Sequence, residues 1–162
     1  MKKYMQKKLN NEKGMTLIEL LAVIVIIAII AAIAIPAIGN IIENSRVGAA
    51  KSDILNAQSA AVLFLADNPG DTEVTLADLL GKAGTGGATS GSSYLDDQAS
   101  LTSFEYYPSS KKVYAVAVDG KIQITTGTDG TGVTKADIAD LPSNTDGTVG
   151  EITVERDYAV TP

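Results

Sequence analysis

The sequence lacks the residue types on which most catalytic and metal sites depend. Its 162 residues include no cysteine, no histidine and no tryptophan, and only 5% of them are aromatic. Without cysteine the chain can form neither a disulfide framework nor a thiol nucleophile. Without histidine, zinc sites and histidine-based catalysis are effectively excluded. We therefore predict a non-enzymatic protein with no catalytic residue, no cofactor and no metal site.

Positive charge is scarce outside the N-terminus. The formal net charge is −6, and the first 14 residues hold five lysines and one acid, so they carry +4 and residues 15–162 carry about −10. A chain this acidic argues against nucleic-acid binding, which needs clustered lysine and arginine. The lysines upstream of the apolar part of the chain are Lys2, Lys3, Lys7, Lys8 and Lys13.

A long apolar run follows these lysines. Between Leu20 and Ile42 lie 23 residues without a formal charge. About 20 apolar residues in a helix cross a bilayer core, and the run shows no strand-like alternation. A buried helix of a soluble domain is the alternative, but such helices rarely extend so far without a charged face. The lysine excess predicts a single span with a cytoplasmic N-terminus and an exported head.

The residues at the start of this run carry a resemblance. "KGMTLIE", residues 13–19, followed by the apolar run, resembles the class III signal of type IV pilins and pseudopilins. The resemblance implies that a prepilin peptidase cuts between Gly14 and Met15 on the cytoplasmic face and methylates Met15. It also implies three segments: a cleaved leader (1–14), a transmembrane or filament-core helix (15–42), and a globular head (43–162) that includes the amphipathic half of the helix.

Two residues of the apolar segment are unusual for a membrane span. Glu19 is an acid at its edge, and an acid inside a span is costly enough to indicate a function. The resemblance implies that Glu19 pairs with the N-terminal ammonium of Met15 on a neighbouring subunit; solvation by lipid headgroups is the alternative. Pro36 removes the hydrogen bond to Ala32, so we expect a kink or a local opening there. The resemblance implies an assembly role for it, and a passive kink is the alternative.

The pattern becomes amphipathic after Ile42. Apolar residues recur at spacings of three and four, which predicts that the helix continues with one buried stripe. The helix should end near Ala66, because Pro69 and Gly70 follow. The predicted stripe consists of Val47, Ala50, Ile54, Ala57, Ala61 and Phe64.

The sequence of the rest of the head predicts short helices and strands. "TLADLLGKAG" predicts a helix with Thr75 and Asp78 at capping-box spacing, and "TKADIADLP" a helical turn with Thr134 as N-cap. Strands are predicted in "SFEYYP", "GEITVERDYAV" and "KVYAVAVDGKIQITT", the last being two strands joined at Asp119-Gly120 by a type I′ turn. Residues 84–93 predict a flexible low-complexity loop. The fold class is α+β, a long N-terminal α-helix packed on a small antiparallel β-sheet.

One group of acids could be taken for a calcium site, since calcium prefers oxygen ligands. These acids have no fixed ligand spacing, so we interpret them as solvated. They are Asp129, Asp137, Asp140 and Asp146.

The resemblance implies a structural subunit of a type IV pilus or pilus-like filament, which polymerises through its apolar helix for adhesion, motility or DNA uptake. The implied partners are other pilin subunits in a homopolymer, the prepilin peptidase and the inner-membrane assembly platform. The subunit would sit in the membrane before assembly and at the cell surface afterwards, with no sequence-specific nucleic acid. We favour a pilus major subunit; a competence pilin or type II secretion pseudopilin is the alternative within the family, and a membrane-tethered binding module is the alternative of another class.

Overall fold

The computed structural model describes residues 16–82, 93–127 and 132–156. The chain divides into two units, Met1–Asn40 and Ile41–Pro162. The described elements are α1 (Leu17–Asp67), β1 (Val74–Thr75), α2 (Leu76–Leu79), β2 (Leu101–Tyr107), β3 (Lys112–Asp119), β4 (Ile122–Thr126), α3 (Lys135–Asp140), β5 (Gly147–Val149) and β6 (Ile152–Glu155).

Helix α1 is 51 residues long. It continues through Pro36 as helix, so the local opening expected there is absent from this structure. At the other end, the Asn68 backbone N–H and side-chain amide both donate to the carbonyl oxygen of Phe64, at 2.9 and 3.0 Å. Pro69 follows, and a proline cannot continue the helical hydrogen bonding. The helix therefore ends one residue beyond the predicted Ala66.

The strands form one antiparallel sheet of six strands, in the order β1-β2-β3-β4-β6-β5. The α+β fold with a long helix and an antiparallel sheet is therefore confirmed. Strands β3, β4 and β6 lie within the predicted segments, and β2 overlaps its segment but begins two residues earlier, at Leu101. The edge strands β1 and β5 were not predicted, because they have only two and three residues and no alternation to detect.

The hairpin between β3 and β4 forms as predicted, but its turn type was wrong. Asp119 pairs with Ile122, so the two loop residues are Gly120 and Lys121. Gly120 has a φ of +63°, whereas Lys121 is not among the residues with positive φ. A type I′ turn needs positive φ at both loop positions, while glycine at the first position alone is the type II′ pattern.

The core of the head lies between the amphipathic half of α1 and one face of the sheet. All six predicted stripe residues are buried, with exposures from 0% to 3%. They form one cluster with the inward-facing strand residues, such as Val113, Ala115 and Ala117 of β3. The side chains buried at every second position of β3 and at every third or fourth position of α1 thus pack together in a single core.

Candidate assembly and processing site

The first half of α1 presents an apolar surface on all sides. The large apolar side chains from Leu17 to Ile42 are between 48% and 87% exposed. The most apolar stretch of the helix has a mean hydropathy of 3.2 and none of it is buried, so it is long and apolar enough to cross a membrane. Water-exposed apolar surface of this extent is unfavourable, and it marks a region that binds lipid or another apolar surface.

Glu19 is the acid in the first turn of α1. Its Oε2 accepts hydrogen bonds from the backbone N–H and the hydroxyl of Thr16, at 2.8 and 2.9 Å. The Thr16 hydroxyl in turn accepts from the backbone N–H of Glu19, at 3.2 Å. This reciprocal pattern is a capping box, and it also places a carboxylate at the positive end of the helix dipole.

The capping box fixes the position of the Glu19 carboxylate. A carboxylate has about four acceptor sites on its two oxygens. Thr16 occupies sites on Oε2. A cationic donor from outside the subunit can therefore bind the same carboxylate at Oε1 without breaking the cap. Our sequence analysis did not single out Thr16, although the Thr-x-x-Glu spacing of residues 16–19 is the signal that could have found it.

The other predicted processing and assembly residues are divided between described and undescribed parts of the chain. Gly14, Met15 and the rest of the leader lie outside the described residues. Pro36 lies inside α1, on an exposed part of the helix. The structure thus shows the geometry around Glu19 and Pro36, while the cleavage position stays a prediction.

The acids considered for calcium do not form a site in the part of the chain that the structure describes. Asp137 caps α3: its Oδ2 accepts from the backbone N–H and the hydroxyl of Thr134, at 2.9 and 2.6 Å. These bonds, chiefly the one from the side chain, lower the pKa of Asp137. Asp140 and Asp146 are exposed, and Asp129 lies outside the described residues. Among the described residues no group of three acids is arranged to hold a metal ion.

The comparison with protein families matches the N-terminal segment. Residues 9–35 match the prokaryotic N-terminal methylation motif. The chain carries a type IV pilin-like class III signal. The motif supports a type IV pilin-like or pseudopilin protein, a class of structural proteins, and confirms the resemblance noted in the sequence. No curated protein and no solved structure matched the chain.

The head contains a polar contact that sequence analysis missed. The Arg156 guanidinium donates to Glu43 Oε2 (3.0 Å) and Asn44 Oδ1 (2.9 Å) on α1. It also donates to the backbone carbonyls of Thr145 (3.0 Å) and Ser143 (2.9 Å). Glu43 and Asn44 lie more than 100 residues from Arg156 in the sequence, so no local pattern could have revealed this contact. We call this contact, comprising these five residues, the arginine clamp.

Proposed function

We propose that the chain is a structural subunit of a type IV pilus or pilus-like filament, with no catalytic activity of its own. The observation that carries the proposal is the apolar half of α1, which is exposed on all sides and overlaps the methylation motif. Such a surface is stable in lipid or against other apolar helices. When the apolar half of α1 lies in lipid, the subunit is a membrane-anchored precursor. When it packs against the apolar helices of other subunits, it forms the filament core.

Processing is the first step of this proposal. A prepilin peptidase cleaves between Gly14 and Met15 and methylates Met15, which becomes the first residue of the mature chain. The five lysines of the leader hold the N-terminus in the cytoplasm and the head outside. Residues 1–14 are then the leader, residues 15–42 the anchor and filament core, and residues 43–162 the head.

Glu19 is a docking residue in this proposal. When the apolar helix leaves lipid and enters the filament core, an unpaired carboxylate would be strongly unfavourable. The ammonium of Met15 on a neighbouring subunit neutralises it. Thr16 supports the pairing because it already fixes Oε2 of the same carboxylate. The pair therefore sets the register between subunits.

Pro36 supplies a weak point in the helical part of the filament core. Proline has no N–H, so the carbonyl of Ala32 receives no hydrogen bond from position 36. The helix is intact there in the single subunit. Because one hydrogen bond is already missing, the free-energy cost of opening the helix is lower at Pro36 than elsewhere in α1. Contacts with neighbouring subunits in a filament can therefore open the helix there first.

The test is the substitution Glu19→Ala. It strands the Met15 ammonium against an apolar core, which can cost about 3–5 kcal/mol for each subunit added. We expect normal cleavage and membrane insertion but a sharp fall in the yield of sheared surface filaments, measured at matched membrane levels of processed subunit. Mass spectrometry of wild-type filaments should find N-methylated Met15 as the first residue.

Two control variants sharpen the comparison. Glu151→Ala removes an exposed acid from the head and should leave filament yield unchanged. Glu19→Gln keeps the side-chain volume and some hydrogen bonding, so it should be milder than Glu19→Ala. Equal yields for Glu19→Ala and wild type would refute the pairing and favour a membrane-tethered binding module. Recovery of only short, membrane-bound assemblies would favour a secretion pseudopilin or a competence pilin over a pilus subunit.

A further inference from the structure

Arg46 is a cation without a partner at the place where α1 enters the head. It is half-buried, and among the residues that the structure describes it makes no hydrogen bond and no ion pair. The neighbouring cations are engaged, since Lys51 donates to two backbone carbonyls and Arg156 is held by Glu43 and the rest of the clamp. A guanidinium offers five donors in a planar fork. The fork of Arg46 is therefore available to a ligand outside the subunit.

The loop of the β3–β4 hairpin fixes where this guanidinium lies. A Cβ atom at position 120 would lie only 1.7 Å from Nη1 of Arg46. Gly120, with a φ of +63° and no side chain, therefore lets the backbone of the loop approach the guanidinium closely. Lys121, the second loop residue, is exposed. The loop and the start of the head thus bring two cationic residues to one end of the unit Ile41–Pro162.

The position of Arg46 along α1 corresponds to the headgroup layer of a bilayer. The uncharged run ends at Ile42, and Ile41 and Ile42 are 65% and 49% exposed. Arg46 follows four residues later, on the same helical face as Ile42 and about 6 Å further along the helix axis. A bilayer has about 5–8 Å of headgroups on each side of its apolar core. When the apolar run spans lipid, the guanidinium therefore lies at the level of the phosphates.

We propose that Arg46 binds the phosphate group of a phospholipid on the exported side of the membrane. The inference rests on the membrane-anchored precursor proposed above and adds a lipid contact to it. Arginine binds phosphate through paired, charge-assisted hydrogen bonds, and long basic side chains near the ends of membrane helices place their charge at the interface. The contact is lost when the subunit leaves the bilayer, so it belongs to the precursor, whereas the pairing of Glu19 belongs to the filament.

Solid-state NMR of the full-length protein tests the proposal, because Arg46 and Arg156 are its only arginines. Protein labelled with ¹³C at both guanidinium carbons is reconstituted at low density into vesicles of phosphatidylethanolamine and phosphatidylglycerol. A hydrogen-bonded guanidinium–phosphate pair has a carbon–phosphorus distance of about 4 Å, so lipid ³¹P should dephase its ¹³C signal. We expect dephasing for Arg46 and none for Arg156, whose fork the clamp already occupies. Arg46→Lys assigns the two signals by removing one of them.

Two controls identify the source of the phosphate. Lys121→Gln removes a charge from the same hairpin loop and should leave the dephasing of Arg46 unchanged. Inorganic phosphate, added to the protein in maltoside micelles that contain no phospholipid, should not dephase Arg46. Equal dephasing in micelles and vesicles would mean a site for free anions and would overturn the lipid contact. Absence of dephasing in vesicles would also overturn it, and is the result expected if Arg46 serves a carboxylate of a second subunit.

Carbonate extraction of the same vesicles separates this contact from the proposed function. Protein that carbonate extracts is not anchored in the bilayer, which would contradict the membrane-anchored precursor and the lipid contact together. Protein that resists extraction, but shows no phosphorus contact at Arg46, would overturn the lipid contact alone and leave the proposed filament subunit intact.

Discussion

Arg156 shows how one side chain can hold distant parts of the head together. Its side chain is 15% exposed, whereas Glu43, its ionic partner, is 46% exposed. Exposed ion pairs contribute little, while buried hydrogen bonds to a charged donor contribute more. The carbonyl of Thr145, a residue that is 9% exposed, therefore matters more to the clamp than the half-exposed carboxylate does.

This ranking gives a prediction for two conservative substitutions. Arg156→Lys keeps the charge but loses the planar fork that reaches four acceptors, so we expect it to lower the free energy of unfolding by about 1–3 kcal/mol. Glu43→Gln should cost less than about 1 kcal/mol. Urea denaturation followed by circular dichroism measures both. Equal losses would mean that the ion pair, and not the carbonyl contacts, stabilises the clamp.

At the scale of elements, the two short helices of the head depend on their caps. Both α2 and α3 begin with a complete threonine–aspartate capping box. Helices of four and six residues are too short to be stable by themselves. The boxes therefore determine where each helix begins, which explains why the sequence predicted both positions.

The cap of α3 has a pH dependence of known sign. The pKa of Asp137 is lowered from its usual 3.8 by the hydrogen bonds from Thr134. A carboxylate with a lowered pKa in the folded state stabilises the fold above its unfolded pKa, and this stabilisation is lost as the pH falls. Thr134→Ala should lower stability by about 1 kcal/mol at neutral pH.

Comparison across pH tests the cap directly. The difference between Thr134→Ala and wild type should begin to narrow below about pH 4, near the unfolded-state pKa, and it should be lost once the pH falls below the lowered pKa that Asp137 has in the folded protein. Thr134→Ser keeps the hydroxyl and serves as the matched control. Thermal unfolding monitored by circular dichroism at pH 7 and pH 3 provides the measurement. A constant difference across this range would contradict the proposed contribution of the carboxylate.

The elements also show what a sequence can and cannot reveal. The stripe from Val47 to Phe64 was predictable, because burial along a helix imposes a spacing of three and four residues. The turn at Gly120 was not, because the ladder register between Asp119 and Ile122 decides which residues form the loop. The arginine clamp arises from contacts between segments that are distant in the sequence, and local patterns carry no trace of it.

At the scale of the whole molecule, the two units differ in what stabilises them. Residues up to Asn40 include no buried apolar side chain among those described, whereas the unit Ile41–Pro162 has its own core. A truncated protein beginning at Ile41 should therefore be soluble and monomeric and should retain Glu43 for the clamp. Its circular dichroism spectrum should show both helix and strand.

Analytical ultracentrifugation and circular dichroism test this expectation together. A second truncation beginning at Lys51 removes Val47 and Ala50 from the core as well as the α1 side of the clamp, so it should unfold at a lower temperature. A purely helical or disordered spectrum from the longer protein would show that the head needs the apolar half of α1 to fold.

The position of the polar anchors on α1 has a mechanical consequence. Tension along a filament would travel through α1 and enter the head where side chains tie the helix to other segments. Most of those ties lie between residues 43 and 53 of α1, where the helix enters the head: Glu43 and Asn44 hold Arg156, Lys51 donates to the carbonyls of Ala139 and Leu141, and Asp53 accepts from Ser100. They act in parallel on three separate stretches of chain, so a pulling force is shared among them and must shear several bonds at once before the head yields.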